Sequence, residues 1–146
     1  MAYEGSVGAY IEVSAALPAT EDQAGYEALT WTKVNGLTNL GEFSKVWSMA
    51  TAVLLDSGLT IKRKSSFDNG SLAAQMLRDI SDAGQGILST AADSSNGLIS
   101  IKVVEPDGTV NYAMILVLSH TVNLQSAADM KTANSQIEIT SDIVVV

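Results

Sequence analysis

The sequence predicts a mainly β fold, a two-sheet β-sandwich with one flanking α-helical segment, on three observations. Short runs rich in Val, Ile, Thr and aromatic residues recur along the chain, separated by Gly, Asn, Asp and Pro, the pattern of antiparallel strands joined by turns. Two such runs, Ile99 to Val103 and Tyr112 to Leu116, flank Glu105-Pro106-Asp107-Gly108, where proline presets φ and glycine supplies a positive φ; they read as a hairpin. After Asn69 the apolar period changes from two to 3.6, which sets one helical segment against the strands.

Taken in order, strands are expected over residues 8–13, 29–34, 45–54, 59–65, 98–105, 109–119 and 134–145, enough for two packed sheets. Residues 16–25, with Pro18, Thr20, Glu21, Asp22 and Gln23, read as a surface loop. Asn69-Gly70-Ser71 reads as a turn ending in a helix N-cap, followed by Leu72, Ala73, Met76, Leu77 and Ile80 on one helical face. Gly84 and Gly86 are expected to interrupt that helix, a second short piece runs from Ile87 to Ala92, and residues 93–97 close it as a loop. In the last strand Ile137, Ile139, Ile143 and Val145 alternate with Gln136, Glu138, Thr140 and Asp142, so one face is buried and the other polar.

At 146 residues the chain is expected to form one domain spanning 1–146, large enough to bury a core without staples. Hydrophobic residues make up 47% and charged ones 16%, so lateral contact with another subunit desolvates few ions, a composition suited to an assembling protein. The net charge of −8 repels phosphates, and the eight basic residues gather only at Lys62-Arg63-Lys64. A nucleic-acid-gripping role is therefore not expected. The N-terminal Met1-Ala2-Tyr3-Glu4-Gly5 shows no basic region followed by an apolar run, and the longest apolar stretch, Tyr112 to Leu118, falls far short of a membrane helix. Synthesis in a cytoplasm is the expectation.

Catalytic constellations are sparse. Without cysteine there is no thiolate nucleophile, disulfide or Cys-based zinc site. The one histidine, His120, ends an apolar strand, and no Gly-x-Ser-x-Gly turn offers it a serine; packing at the strand end is the reading. Gly84-Gln85-Gly86 lacks both the preceding strand and the third glycine of a dinucleotide loop. Trp31 and Trp47, in expected strands, read as core. The expectation is a non-enzymatic protein without cofactor or metal. Lys62, Arg63 and Lys64 read either as an edge-protecting strand or as a cationic surface meeting the acidic face of a neighbouring copy.

Several segments stand in an informative order: Leu17-Pro18-Ala19-Thr20, Trp31-Thr32-Lys33-Val34, Leu37-Thr38-Asn39-Leu40-Gly41-Glu42-Phe43, the stretch from Lys64 to Gly70, Asp82-Ala83-Gly84-Gln85, and Pro106-Asp107-Gly108 followed by Tyr112. Across nearly the whole chain this order resembles the tail tube protein, or major tail protein, of long-tailed, non-contractile bacteriophages (siphophages). Ser65 departs from the pattern, since many members carry glycine directly after the lysine. The resemblance implies a virion structural protein whose subunits form hexameric rings, with strands of the ring closing an inner β-barrel and rings stacking into the hollow tail tube through which DNA is ejected. It implies as partners other copies of the chain, the tail tape measure protein, and the tail tip and tail terminator proteins, with DNA passing without sticking and no membrane insertion.

On that resemblance Glu42, Asp56 and Glu138 are candidates for an acidic lumen wall, where the Debye length of about 8 Å requires charges to stand if DNA is to feel them. Lys62, Arg63, Lys64, Phe67 and Asp68, in a connection expected to be a flexible loop from Asp56 to Gly70, are candidates for contacts between subunits or rings, together with the chain termini. The rival readings are the tube protein of a contractile tail or of a bacterial secretion apparatus, which shares the sandwich and the ring; a β-sandwich binding module; and, weakest, an enzyme. Leu17 to Thr20 favours the non-contractile tail. A binding module would show aromatics in its loops, and here aromatics are 5%.

Overall fold

The computed structural model describes residues 3–146; Met1 and Ala2, part of the stretch read for a secretory signal, lie outside the described residues. The chain runs through β1 (Tyr10–Ser14), α1 (Gln23–Glu27), β2 (Thr32–Val34), β3 (Leu37–Asn39), β4 (Val46–Val53), β5 (Thr60–Asp68) and β6 (Ser71–Leu77). It continues with α2 (Ala83–Asp93), β7 (Leu98–Val104), β8 (Val110–Asn123), β9 (Thr132–Ile139) and β10 (Val144–Val145). The fold is mainly β, with two sheets and a small helical segment, as the sequence predicts.

The two sheets are unequal. Eight strands form one antiparallel sheet in the order β2-β1-β7-β8-β9-β6-β3, with β10 also on β8; among the described residues β4 and β5 pair only with each other. The long strand β8 joins the halves of the large sheet. Its first part pairs with β7, Val110 opposite Val104 through Leu116 opposite Leu98. Its second part pairs with β9, with a register shift between Val117 and Ser119. Such a shift bends a strand and increases its twist. The inward faces of both halves then meet in one core: Ile11, Val13, Ile101 and Ile115 join Leu72, Met76 and Ile137, with Leu88 of α2 beside them.

The chain itself connects the two outer strands of this sheet. β2 and β3 are consecutive, joined by Asn35-Gly36, with Gly36 at φ 80°. The start of α2 clamps this turn. Asp82 caps the helix by accepting from the Gln85 N–H (3.0 Å), and its carboxylate also accepts from Asn35 Nδ2 (2.6 Å). The buried Gln85 donates through Nε2 to the Asn35 and Leu77 carbonyls (3.0 and 2.8 Å) and accepts at Oε1 from the Asp79 N–H (3.1 Å). A Cβ at Gly84 would run into the Lys33 carbonyl and stand 2.8 Å from Val34 Cα, so only glycine lets helix and strand approach this closely.

Several expectations are corrected. Residues 71–77 are strand β6, not a helix, and Ser71 is no N-cap: Leu72, Ala74 and Met76 are buried at period two while the strand pairs with β9 and β3. Gly84 and Gly86 do not interrupt a helix but stand in the first turn of α2. The loop over 16–25 runs into α1, capped by Asp22, which accepts from the Gly25 N–H (2.8 Å). The connection from Asp56 to Gly70 is mostly strand β5. The last expected strand splits into β9 and β10, with Ile139 buried and Val145 exposed. The Pro106 hairpin forms as expected: Gly108 has φ 94° and the Glu105 N–H donates to Thr109 O (2.8 Å).

Candidate assembly interface

Strands β4 and β5 form an arm. Every residue from Val46 to Asp68 is exposed except Ile61, which is half-buried. At ~3.3 Å per residue, strands of this length reach roughly 26–30 Å. The roots of the arm are fixed to the body. Asn69 is buried and donates through Nδ2 to Ser141 O (2.8 Å); Gly70, at φ 102°, accepts from the Ile139 N–H (3.0 Å) and donates to the Asp68 carboxylate (3.1 Å).

The register sorts the arm's side chains by face. Met49 stands opposite Lys64, Thr51 opposite Lys62 and Val53 opposite Thr60 on one face; Ala50 opposite Arg63 and Ala52 opposite Ile61 make the other. Near the root a register shift between Trp47 and Met49 brings an aromatic pair beside the basic face. The Trp47 and Phe67 rings lie 4.8 Å apart and tilted by 53°. Lys45 Nζ sits 4.2 Å from the Phe67 ring and Lys64 Nζ 5.2 Å from Trp47, both within cation–π range. At the tip, the Gly58 N–H closes a turn onto Leu54 O (2.8 Å), leaving Leu55 fully exposed and Leu59 60% exposed.

Trp47 is therefore not core, as its strand position had suggested: it is 41% exposed because β4 has no sheet behind it. Trp31 is half-buried beside Tyr112, its Nε1 donating to Tyr26 O (3.0 Å). Of the contact candidates, Lys62, Arg63, Lys64, Phe67 and Asp68 all stand on β5 of the arm. The lumen candidates are not gathered in one place: Glu42 is exposed between β3 and β4, Asp56 is exposed at the arm tip, and Glu138 is half-buried on β9 opposite Ser71. Sequence reasoning missed Lys45, Trp47, Met49 and Leu55 as exposed arm residues. The apolar run from Val46 to Leu55, broken only by Ser48 and Thr51 and so lacking the clean alternation of β9, was the available signal.

His120 is half-buried on β8, its Nδ1 2.6 Å from Ser135 Oγ and its Nε2 3.4 Å from Arg78 Nη1. Burial first, then the Arg78 charge, hold its pKa below the usual histidine value. Local hydrogen bonds, to the Gly25, Ser81 and Thr109 segments respectively, hold the Asp22, Asp79 and Asp107 carboxyls below the usual range. Among the described residues no group of three or more His, Asp or Glu is arranged to hold a metal ion, and no helix is long and apolar enough to cross a membrane.

No protein-family model matches the chain, and no curated protein matches it. Among solved structures, the fold is similar to that of a chain in the anti-feeding prophage (AFP) baseplate, determined by cryo-EM with six-fold symmetrisation. The TM-score is 0.67 over 100% of this chain and 97% of that one, at 8% sequence identity. The chain thus shares, over its whole length, the fold of a subunit from a prophage baseplate assembly.

Proposed function

We propose that this protein is a non-enzymatic structural subunit of a phage tail that assembles with copies of itself into hexameric rings stacked as a hollow tube for DNA, and that the β4–β5 arm is the element that joins the copies. The observation that carries the reading is the arm itself. An isolated two-stranded hairpin is marginal in water, and an arm that exposes Val46, Trp47, Met49, Val53, Leu55 and Phe67 gains stability only when another surface covers it. The low charge content supports burial against a like subunit. The order of segments that resembles tail tube proteins supports the tube, and likeness to a six-fold symmetrised prophage baseplate chain supports a ring. In this reading the tape measure, tail tip and terminator proteins meet the ends or the lumen of the tube, and the virion tail is where the protein resides.

The baseplate neighbour favours a second reading of the tail type, in which the subunit belongs to a contractile tail or a related secretion apparatus. The segment Leu17 to Thr20 supports the non-contractile one; a sheath protein surrounding the tube in isolated particles would decide for the second.

Val46 and Asp68 are paired neighbours at the root, so a two-residue Asn-Gly turn can replace residues 47–67 without disturbing the body. Electron microscopy of the concentrated full chain is expected to show rings or hollow tubes, while the shortened chain stays folded and monomeric. Equal assembly by both would overturn the role of the arm, and a full chain that remains monomeric with tail initiator components present would overturn the reading as a whole.

A further inference from the structure

The arm and the body differ in charge. Residues 45–68 hold four of the eight basic residues and two of the sixteen acids, so the arm carries +2 and the rest of the chain −10. A groove of about 760 Å³ lies on the body between the β7–β8 turn and β3. It is lined by Glu4, Glu105 and Asp107 over apolar Leu37, Leu40 and Phe43, and no Lys, Arg or His lines it. Its wall includes β3, which pairs with β6 on one side only. None of residues 44–68 lines it, so the arm of the same copy does not occupy it.

We infer that the arm of one copy docks in this acidic groove of the next, with Lys62 and Lys64 facing Glu4 and Glu105 and the Trp47–Phe67 root set against the groove's apolar floor. The inference rests on the assembly reading above and specifies the counter-surface. A second copy suits the site because both halves of the contact are on one chain and opposite in charge, and among the described residues the ion pair found, Lys102 with Glu12, involves neither half. The contact is head-to-tail, since arm and groove are different surfaces; such contacts close rings or continue as filaments.

The test uses the full chain with two reversals, Lys62→Glu with Lys64→Glu on the arm and Glu4→Lys with Glu105→Lys in the groove. Each pair alone is expected to slow assembly at least tenfold by light scattering, and the four together to recover most of the rate; because Glu105 accepts from the buried Asn111 Nδ2 (3.0 Å), the arm pair and Glu4→Lys alone are the variants expected to leave thermal melting of the body unchanged. Groove reversal without effect, in a protein whose assembly still requires the arm, overturns the groove and leaves the assembly reading standing; assembly that survives loss of the arm overturns the groove contact together with the arm's role. Because the chain has no cysteine, proximity is read independently by mixing Lys62→Cys with Thr38→Cys and oxidising. A disulfide dimer in the mixture is expected. Dimers formed equally well by Lys62→Cys alone would mean arm-to-arm pairing, and a duplex DNA shifted at physiological salt by the full chain but not by the arm-reversed variant would mean the arm binds a polyanion; either overturns the inference.

Discussion

The body and the arm are both built of antiparallel strands, yet the body covers its strands and the arm does not. In β9 every second residue is buried, with Ala133, Ser135, Ile137 and Ile139 inward and polar residues between them. In β4, although six of its eight residues are apolar against three of eight in β9, every residue is exposed. The difference lies not in strand propensity but in what stands opposite: β9 has β8 and β6 as hydrogen-bonded neighbours and a core behind it, while β4 has β5 alone. Strand character therefore says that a residue fits a pleated, half-buried surface, and not which chain supplies the other half.

The largest effect is expected at the clamp that holds the body. Gly84→Val drives a side chain into the Lys33 carbonyl and is expected to cost about 3 kcal/mol or more, as overpacking between backbones does. Chemical denaturation of the arm-shortened chain should show the same loss as the full chain, which would place the cost wholly in the body. A loss smaller in the shortened chain would mean that the two regions fold together.

On the arm the expected effects reverse. Trp47→Ser with Phe67→Ser removes exposed aromatics, so monomer stability should move by less than about 0.5 kcal/mol, while assembly read by sedimentation falls at least tenfold. A large loss of monomer stability would show that the aromatic pair supports the body.

The smallest effect concerns pH and belongs to the body alone. Because the folded pKa of His120 is depressed, the unfolded chain takes up this proton first as pH falls through about 6.5. Stability should be undiminished above that value and decline below it until the folded histidine titrates. The depressed Asp22, Asp79 and Asp107 act in a separate window: their contribution is present above the ordinary carboxyl pKa and is lost only as pH falls below it. Thermal melts between pH 7 and 5 should show a decline that His120→Gln reduces, with or without the arm. A decline that vanishes with the arm would move its origin there.

Much of the body was legible from residues near in sequence. The Pro106 turn, the strands on either side of it and the alternation of β9 are local patterns, and they form as read. Residues 71–77 were misread because Leu72 and Met76 satisfy both periods, lying four apart on a helix and on the same face of a strand. The run Ser-Leu-Ala-Ala-Gln-Met-Leu is rich in helix formers, and pairing with β9 and β3 overrides that preference. The role of Asp82 to Gln85 was hidden for a related reason: its partners, Lys33, Asn35 and Leu77, come from two other strands and the β2–β3 turn.

The basic cluster at Lys62 to Lys64 was visible, but its surface was not, because Trp47, Met49 and Lys45 reach it only across the β4–β5 register. Residue identity and short spacing thus settle where strands such as β4, β7 and β9 and the Pro106 turn form, that charge is scarce and acidic, and that no cysteine is present. Tertiary structure alone decided that β6 is a strand, that α2 clamps the β2–β3 turn, and that β4 and β5 leave the body. Those outcomes depend on which distant segments supply hydrogen bonds and cover, and local periodicity carries no record of them.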